Sequence, residues 1–233
     1  MIEEPPALRI RRNFRRPTAE QIDAFRGVPT GFVCDAMDGK GALSPRIAPI
    51  GGGRDIECTA VGPALVADNG PGEILATMGA LHELQEGDIV VAAVHGHRGC
   101  SASGDQFCGM LRNKGAAGFV TDGQMRDYDG IVEVGMPVWC DGLSPNSPYA
   151  KGPGRVGFGA VVGGVRIESG DLVVADRNGV VVVPFGRIDA VIAAVAQVEE
   201  LEEALEERVK SGFCEMTAIE EMIADGRAVI EGD

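Results

Sequence analysis

Apolar positions along this chain switch repeatedly between short unbroken runs and helical spacing. Cys58 to Ala67 (CTAVGPALVA), Ile89 to Val94 and Gly118 to Thr121 are runs of the kind that form buried strands. Between the first two, Ile74, Leu75, Met78 and Leu81 recur at three- and four-residue intervals, which predicts a helix over 73–84. A second helix is expected from Asp105 to Lys114, where Gly115 stops it. A long one is expected from Arg187 to about Lys210: Ile188, Val191, Ile192, Val195, Val198, Leu201 and Leu205 share one face, and acidic residues take the other. Further strands are expected at 134–139, 161–167, 172–176 and 180–184, with Asn178-Gly179 as a hairpin signal between the last two. Thr18-Ala-Glu-Gln21 predicts a capping box for a short helix ending near Gly27, and Thr217 with Glu220 predicts another for a final helix ending at Gly226. Thr30 to Met37 starts one more helix. Segments 44–57, 99–104 and 141–159, rich in Gly and Pro, read as loops.

Strands and helices therefore interleave, with an antiparallel hairpin late in the chain. The expectation is a single α/β sandwich of mixed sheets and flanking helices over 18–210, with an N-terminal arm (1–17) and a C-terminal helical tail (211–233). The arm sets Pro5, Pro6 and Pro17 around Arg9, Arg11, Arg12, Arg15 and Arg16, and reads as an extended segment suited to an acidic neighbouring subunit.

Composition narrows the classes. Hydrophobic residues make up 45% of the 233, so a full core can be buried, and few of them are aromatic. A formal net charge of −14 repels phosphate backbones and argues against a nucleic-acid partner. No apolar run approaches the roughly 18 residues that span a bilayer. The six cysteines form no C-x-x-C pair and read as buried, reduced thiols of a cytoplasmic protein. Gly152-Pro-Gly154-Arg-Val-Gly157 fits G-x-G-x-x-G, but it does not join a strand to a helix, so a dinucleotide site is rejected.

Two stretches carry candidate chemistry. In Ser103-Gly104-Asp105-Gln106-Phe107 a Gly-rich loop becomes a helix, and helix-start N–H groups can hold a carboxylate. In Thr121-Asp-Gly-Gln-Met-Arg126-Asp127 an arginine sits beside an aspartate just past a buried strand. A 2-oxo acid presents a carboxylate and an adjacent keto oxygen. Mg²⁺ (or Mn²⁺) takes hard oxygen ligands and keeps several waters, so one carboxylate such as Asp127 suffices to hold it. Arg126 can neutralise a substrate carboxylate or a developing enolate, and Asp105 can move a proton. From spacing alone, the same residues also fit a surface Arg–Asp pair and an acid that favours a helix start. His95 and His97, at i and i+2, are expected to share a strand face, where they are packed or solvated, or bind a metal or a substrate acid.

The run G-A-A-G-F-V-T-D-G-Q-M-R-D (115–127) resembles the G-x-x-G-x-V-x-D-G-x-x-R-D segment of the RraA-like family. G-G-V-R-I-E-S-G-D-L-V-V-A-D-R-N-G-V-V-V-V-P (163–184) resembles its second signature, and Pro137 and Ser144-Pro145 also match. The likeness covers roughly 18–210; the arm, the tail and His95-Gly-His97-Arg98 fall outside the pattern. The family includes 4-hydroxy-4-methyl-2-oxoglutarate and 4-carboxy-4-hydroxy-2-oxoadipate aldolases with oxaloacetate decarboxylase activity. The resemblance implies that Arg126 holds a pyruvyl group, Asp127 binds Mg²⁺ and Asp105 transfers a proton through water. It also implies that Gly104 and the amides of Gln106 and Phe107 cradle the substrate carboxylate. It implies homotrimers or hexamers with interfacial sites, completed by an acid of a neighbouring subunit: Asp35 or Asp38, or one from Glu199 to Glu203. Some relatives instead bind and inhibit ribonuclease E, which makes a non-catalytic regulator the rival expectation. A menaquinone methyltransferase label also occurs in the family, but this chain shows no methyl-donor site.

Overall fold

The longest apolar run forms the axis of the fold. In the computed structural model, which describes residues 6–232, the strands are β1 (Leu8–Ile10), β2 (Ala48–Pro49), β3 (Ala60–Asp68), β4 (Ile89–Ala93), β5 (Ser101–Ser103), β6 (Gly118–Thr121), β7 (Gln124–Met125), β8 (Val138–Cys140), β9 (Gly154–Val156), β10 (Ala160–Val162), β11 (Val165–Ile167), β12 (Leu172–Asp176) and β13 (Gly179–Val183). The helices are α1 (Ala19–Asp23), α2 (Thr30–Asp35), α3 (Leu75–Glu83), α4 (Asp105–Asn113), α5 (Tyr128–Val134), α6 (Ile188–Lys210) and α7 (Thr217–Ala224). Residues 1–5, including Pro5 of the arm, and Asp233 lie outside the described residues.

β3 serves two neighbours in succession. Ala60–Pro63 pairs antiparallel with β12, and Ala64–Asp68 pairs parallel with β4. Pro63, which has no N–H to donate, sits where the partner changes. From β3 the sheet continues in parallel through β4, β6 and β8, with β2 antiparallel at one edge and β9 and β1 at the other. β4 and β6 are wholly buried, as strands covered on both faces must be, and they read as unbroken apolar runs. Val66, Val90, Val91, Phe119 and Trp139 centre the main core. A second cluster joins Phe25 and Val33 to Leu172, Val183, Ile188 and Val195.

The α/β architecture of mixed sheet and flanking helices is as expected; several local expectations are not. Residues 134–139 do not form one strand: Tyr128–Val134 is helix α5, Gly135 ends it with a positive φ of 68°, and the strand starts only at Val138. Residues 161–167 fold as a hairpin, β10–β11, across Gly163-Gly164. Three of the expected loops contain short strands: β2, β5 and β9. The Thr18 capping box forms in full, but Thr217 is the first residue of α7, and the N-cap position falls to Met216, which makes no side-chain cap. β1 lies on β9, and the arm's arginines find partners in their own chain: Arg12 on Glu83, and Arg16 on the buried Asp88. Trp139 is buried, as are Cys58, Cys108 and Cys140, whereas Cys214 is exposed. Burial pushes the Cys108 thiol up to about 12 and Cys140 up to about 11, so both stay protonated.

The chain divides into two compact units, residues 1–195 and 196–233. In the second, Arg208 stacks over the Phe213 ring, and Leu201, Met216 and Ile219 are exposed. Among the described residues no helix is long and apolar enough to cross a membrane.

Candidate active site

Ligands of α/β sheets collect at the carboxyl ends of parallel strands, where the chain leaves the sheet. Both candidate stretches emerge there, one after β4 and the other after β6. The two exits are tied together: β5 pairs in parallel with β7, and the Arg126 N–H donates to the Ser103 carbonyl at 3.1 Å. This brings Gly104 against Arg126 and Asp127. A Cβ on Gly104 would stand 2.5 Å from Asp127 Oδ2 and 3.0 Å from Arg126 Nε, so only the bare backbone leaves that space open.

Arg126 donates from Nε to Asp127 Oδ2 at 3.0 Å and from Nη1 to Ser147 Oγ at 2.7 Å. Asp127 has a left-handed backbone (φ 57°) and precedes α5, whose Ile131 N–H it receives on its carbonyl. The strand exit has to turn sharply here, and the strain is held by α5 behind it. Next along, Tyr128 donates its hydroxyl to Asp55, which pushes the phenol up from its ordinary value.

Asp105 is the first residue of α4, whose first turn leaves N–H groups without intrahelical partners. Its Oδ1 accepts the Gln106 N–H at 2.6 Å, so that amide, expected to face a substrate carboxylate, is engaged by the neighbouring side chain. A Cβ on Gly130 would meet Asp105 Oδ2 at 2.4 Å; α5 thus receives the carboxylate against bare backbone.

Gly104, Asp105, Gln106, Phe107 and Arg126 line one cavity of about 180 Å³. Arg126 and Asp127 line an adjoining one of about 350 Å³ with Tyr128 and Ser144. Gly104, Asp105, Gln106, Phe107, Arg126 and Asp127 therefore each border one of two spaces that share Arg126, whereas Asp35, Asp38 and Glu199 to Glu203 line neither. The structure adds Ser103 and Ser147. Ser103 is 2% exposed, lines the smaller cavity, and its Oγ is buried without a hydrogen-bond partner among the described residues. Ser103 adjoins the helix start in the sequence, but nothing there marks its hydroxyl as unpaired. Ser147 is 21 residues from Arg126, and only the folded loop brings it near.

The histidines do not share a strand face. β4 ends at Ala93, and His95 sits in a turn with φ 55°. Asp122 accepts the N–H groups of Val94 and Gly96 at 2.7 and 2.9 Å, clasping that turn. Burial pushes the Asp122 carboxyl up from its ordinary value despite these bonds.

Residues 30–182 match the RraA-like family model, described as Aldolase/RraA. The chain is 32% identical to a Halalkalibacterium halodurans protein bearing the provisional name 4-hydroxy-4-methyl-2-oxoglutarate aldolase, over 87% of this chain and 95% of that one. Its fold is similar to that of Streptomyces coelicolor RraAS2, described as an unusual member of the RNase ES inhibitor RraA protein family. The TM-score is 0.72 at 28% identity, covering 83% of this chain and 100% of the other. An uncharacterised Pseudomonas syringae protein superposes at a TM-score of 0.74 with 25% identity, over 86% and 97% of the two chains.

Proposed function

The chain belongs to the RraA-like family, and from that premise we propose that it is a lyase that cleaves a carbon–carbon bond of a small 2-oxo acid with the help of Mg²⁺ or Mn²⁺. The observation that carries the reading is the convergence of Arg126, Asp127 and the α4 start around the space that Gly104 leaves open.

The residues fit such a cation. Asp127 offers a half-exposed carboxylate beside a cavity, and the bare Gly104 backbone keeps room over its Oδ2. Among the described residues no three His, Cys, Asp or Glu side chains converge, so one carboxylate and waters would hold the ion. That coordination suits Mg²⁺, which dehydrates reluctantly. A bound cation supplies Lewis-acid withdrawal of electrons from the 2-oxo group.

The chain's own residues supply the remainder. Arg126 sits at fixed orientation between Asp127 and Ser147, where its charge balances the carboxylate or the enolate oxygen of the departing pyruvyl fragment. The Phe107 N–H and the unpartnered Ser103 hydroxyl are donors available to the substrate carboxylate. In aldol cleavage Asp105, directly or through water, takes the C4 hydroxyl proton as the C3–C4 bond breaks. The bonding pair passes to the pyruvyl fragment as its enolate, which is then protonated at C3. In oxaloacetate decarboxylation the C3–C4 pair likewise stays with the pyruvyl fragment as its enolate, while C4 leaves as CO₂. In this reading the active form is a homotrimer or hexamer, and an acid of a neighbouring subunit (Asp35, Asp38 or one from Glu199 to Glu203) completes the site.

The likeness to RraAS2 supports a second reading, a non-catalytic regulator of ribonuclease E activity. One experiment separates them: pyruvate release from oxaloacetate and from 4-hydroxy-4-methyl-2-oxoglutarate, with Mg²⁺, with EDTA, and after Mg²⁺ is restored. The lyase loses turnover on chelation and regains it. Asp127→Ala abolishes the metal-dependent turnover while its circular dichroism stays that of the wild type. Wild-type turnover in that variant, or none in the wild type with Mg²⁺ present, overturns the assignment.

A further inference from the structure

A further cavity, of about 600 Å³, lies elsewhere and shares no lining residue with the two cavities around Arg126. It gathers residues from the carboxyl ends of β3, β4 and β6: Asp68, His95 and Asp122. Arg155 of β9 and Val161 of β10 line it as well. Its volume is within the range of small-molecule sites, and strand carboxyl ends are where α/β sheets bind ligands.

Among the described residues, the charges around this cavity are held by partners with one exception. Arg46 is held by Asp141 at 2.8 Å and Arg166 by Glu168 at 2.6 Å. Asp122 is satisfied by two backbone N–H groups. Asp68 stands directly opposite Arg155 in the β3–β9 register, the arrangement in which cross-strand ion pairs normally form. The pair is not made. Asp68 Oδ1 instead takes His95 Nε2 at 2.8 Å. Arg155 has no carboxylate partner among the described residues; its guanidinium lies 4.4 Å over the Phe158 ring. His95 reaches Asp68 from a left-handed backbone, a conformation that costs a non-glycine residue about 1–2 kcal/mol, and Asp122 clasps the turn on both sides of it. Strain, a clasp and a diverted carboxylate thus combine to orient one imidazole and to free one guanidinium at the same cavity.

We propose that this cavity binds a small hydroxy or oxo monocarboxylic acid, its carboxylate on Arg155 and its hydroxyl or oxo oxygen at the His95–Asp68 pair. A planar carboxylate matches the guanidinium fork. The apolar wall of Ile47, Ala160 and Val161 suits a short carbon chain. Three aspartates on the lining disfavour a more highly charged anion such as phosphate.

The chain has three histidines, so ¹⁵N-histidine labelling of the whole protein gives a spectrum in which the His95 ring is identified by its loss in His95→Gln. The probe is 3-hydroxybutyrate, which lacks the 2-oxo group of the proposed lyase substrates, with inorganic phosphate at matched ionic strength as control. The expected result is a saturable shift of the His95 ring with 3-hydroxybutyrate, at least tenfold weaker in Arg155→Gln and unchanged in Asp127→Ala. Absence of a saturable shift, an undiminished one in Arg155→Gln, an equal one with phosphate, or its loss in Asp127→Ala each overturns the proposal. None of these outcomes depends on lyase activity.

Discussion

Gly104 sets the tolerance of the candidate site. Its absent side chain is the reason that Asp127 and Arg126 can approach the start of α4. Gly104→Ala places a methyl group 2.5 Å from the Asp127 carboxylate, so one of the two must move. Displacements of about 1 Å at a reacting centre cost on the order of 100-fold in rate. The expected outcome is a loss of pyruvate release of that order, with a thermal midpoint within a few degrees of wild type, since the site is partly open to solvent. Unchanged kcat/KM would show that this approach does not matter to turnover. Gly104 and Arg126-Asp127 were legible in the sequence through their motifs. Ser147 was not, because a loop contact 21 residues away leaves no periodic trace.

At the scale of elements, α5 is the clearest case of tertiary context prevailing. Val134-Gly-Met-Pro-Val-Trp139 is apolar enough to suggest a strand, yet Gly135 breaks it and Val134 belongs to the preceding helix. That helix matters: it carries Gly130 against Asp105 and follows directly from Asp127. Asp171 illustrates a junction the pattern could not reveal. It is buried and accepts the N–H groups of Glu168 and Phe185, joining the turn before β12 to the approach to α6. Burial pushes its carboxyl up from the ordinary value. A raised native pKa means that the folded state holds the proton more tightly. The resulting stability is full below the unfolded pKa, about 4, and is lost as pH rises through the native one. Urea midpoints from pH 4 to 7 are therefore expected to move in favour of Asp171→Asn relative to wild type as pH rises. A drift the other way would mean that the two hydrogen bonds outweigh burial.

For the molecule as a whole, the arginine arm is part of the fold. β1 extends the main sheet, and Arg16 caps Asp88, whose side chain is 1% exposed. Removing one member of a buried ion pair leaves an unpaired charge in low dielectric, at a cost of about 3–5 kcal/mol. Arg16→Ala is expected to lose stability near the lower end of that range by denaturant titration, because Arg16 itself retains some exposure. A loss below about 1 kcal/mol would return the arm to the role of a loose extension. The sequence showed five arginines among prolines, but not that the partners of Arg12 and Arg16, Glu83 and Asp88, lie about seventy residues downstream in the same chain.

What the sequence determined by itself was local: buried strands from apolar runs, α3 and α6 from helical spacing, α4 between a Gly-rich loop and Gly115, the Thr18 cap, and the two motif stretches that border the candidate site. These follow from forces that act over a few residues, and one chain segment suffices to express them. Only the tertiary structure decided where β3 changes partner, that β5 and β7 join the two site stretches, and that Asp68 turns to His95 and leaves Arg155 without a carboxylate partner among the described residues. Those outcomes depend on which distant groups compete for the same space or the same hydrogen bond, and that competition exists only once the chain has closed on itself.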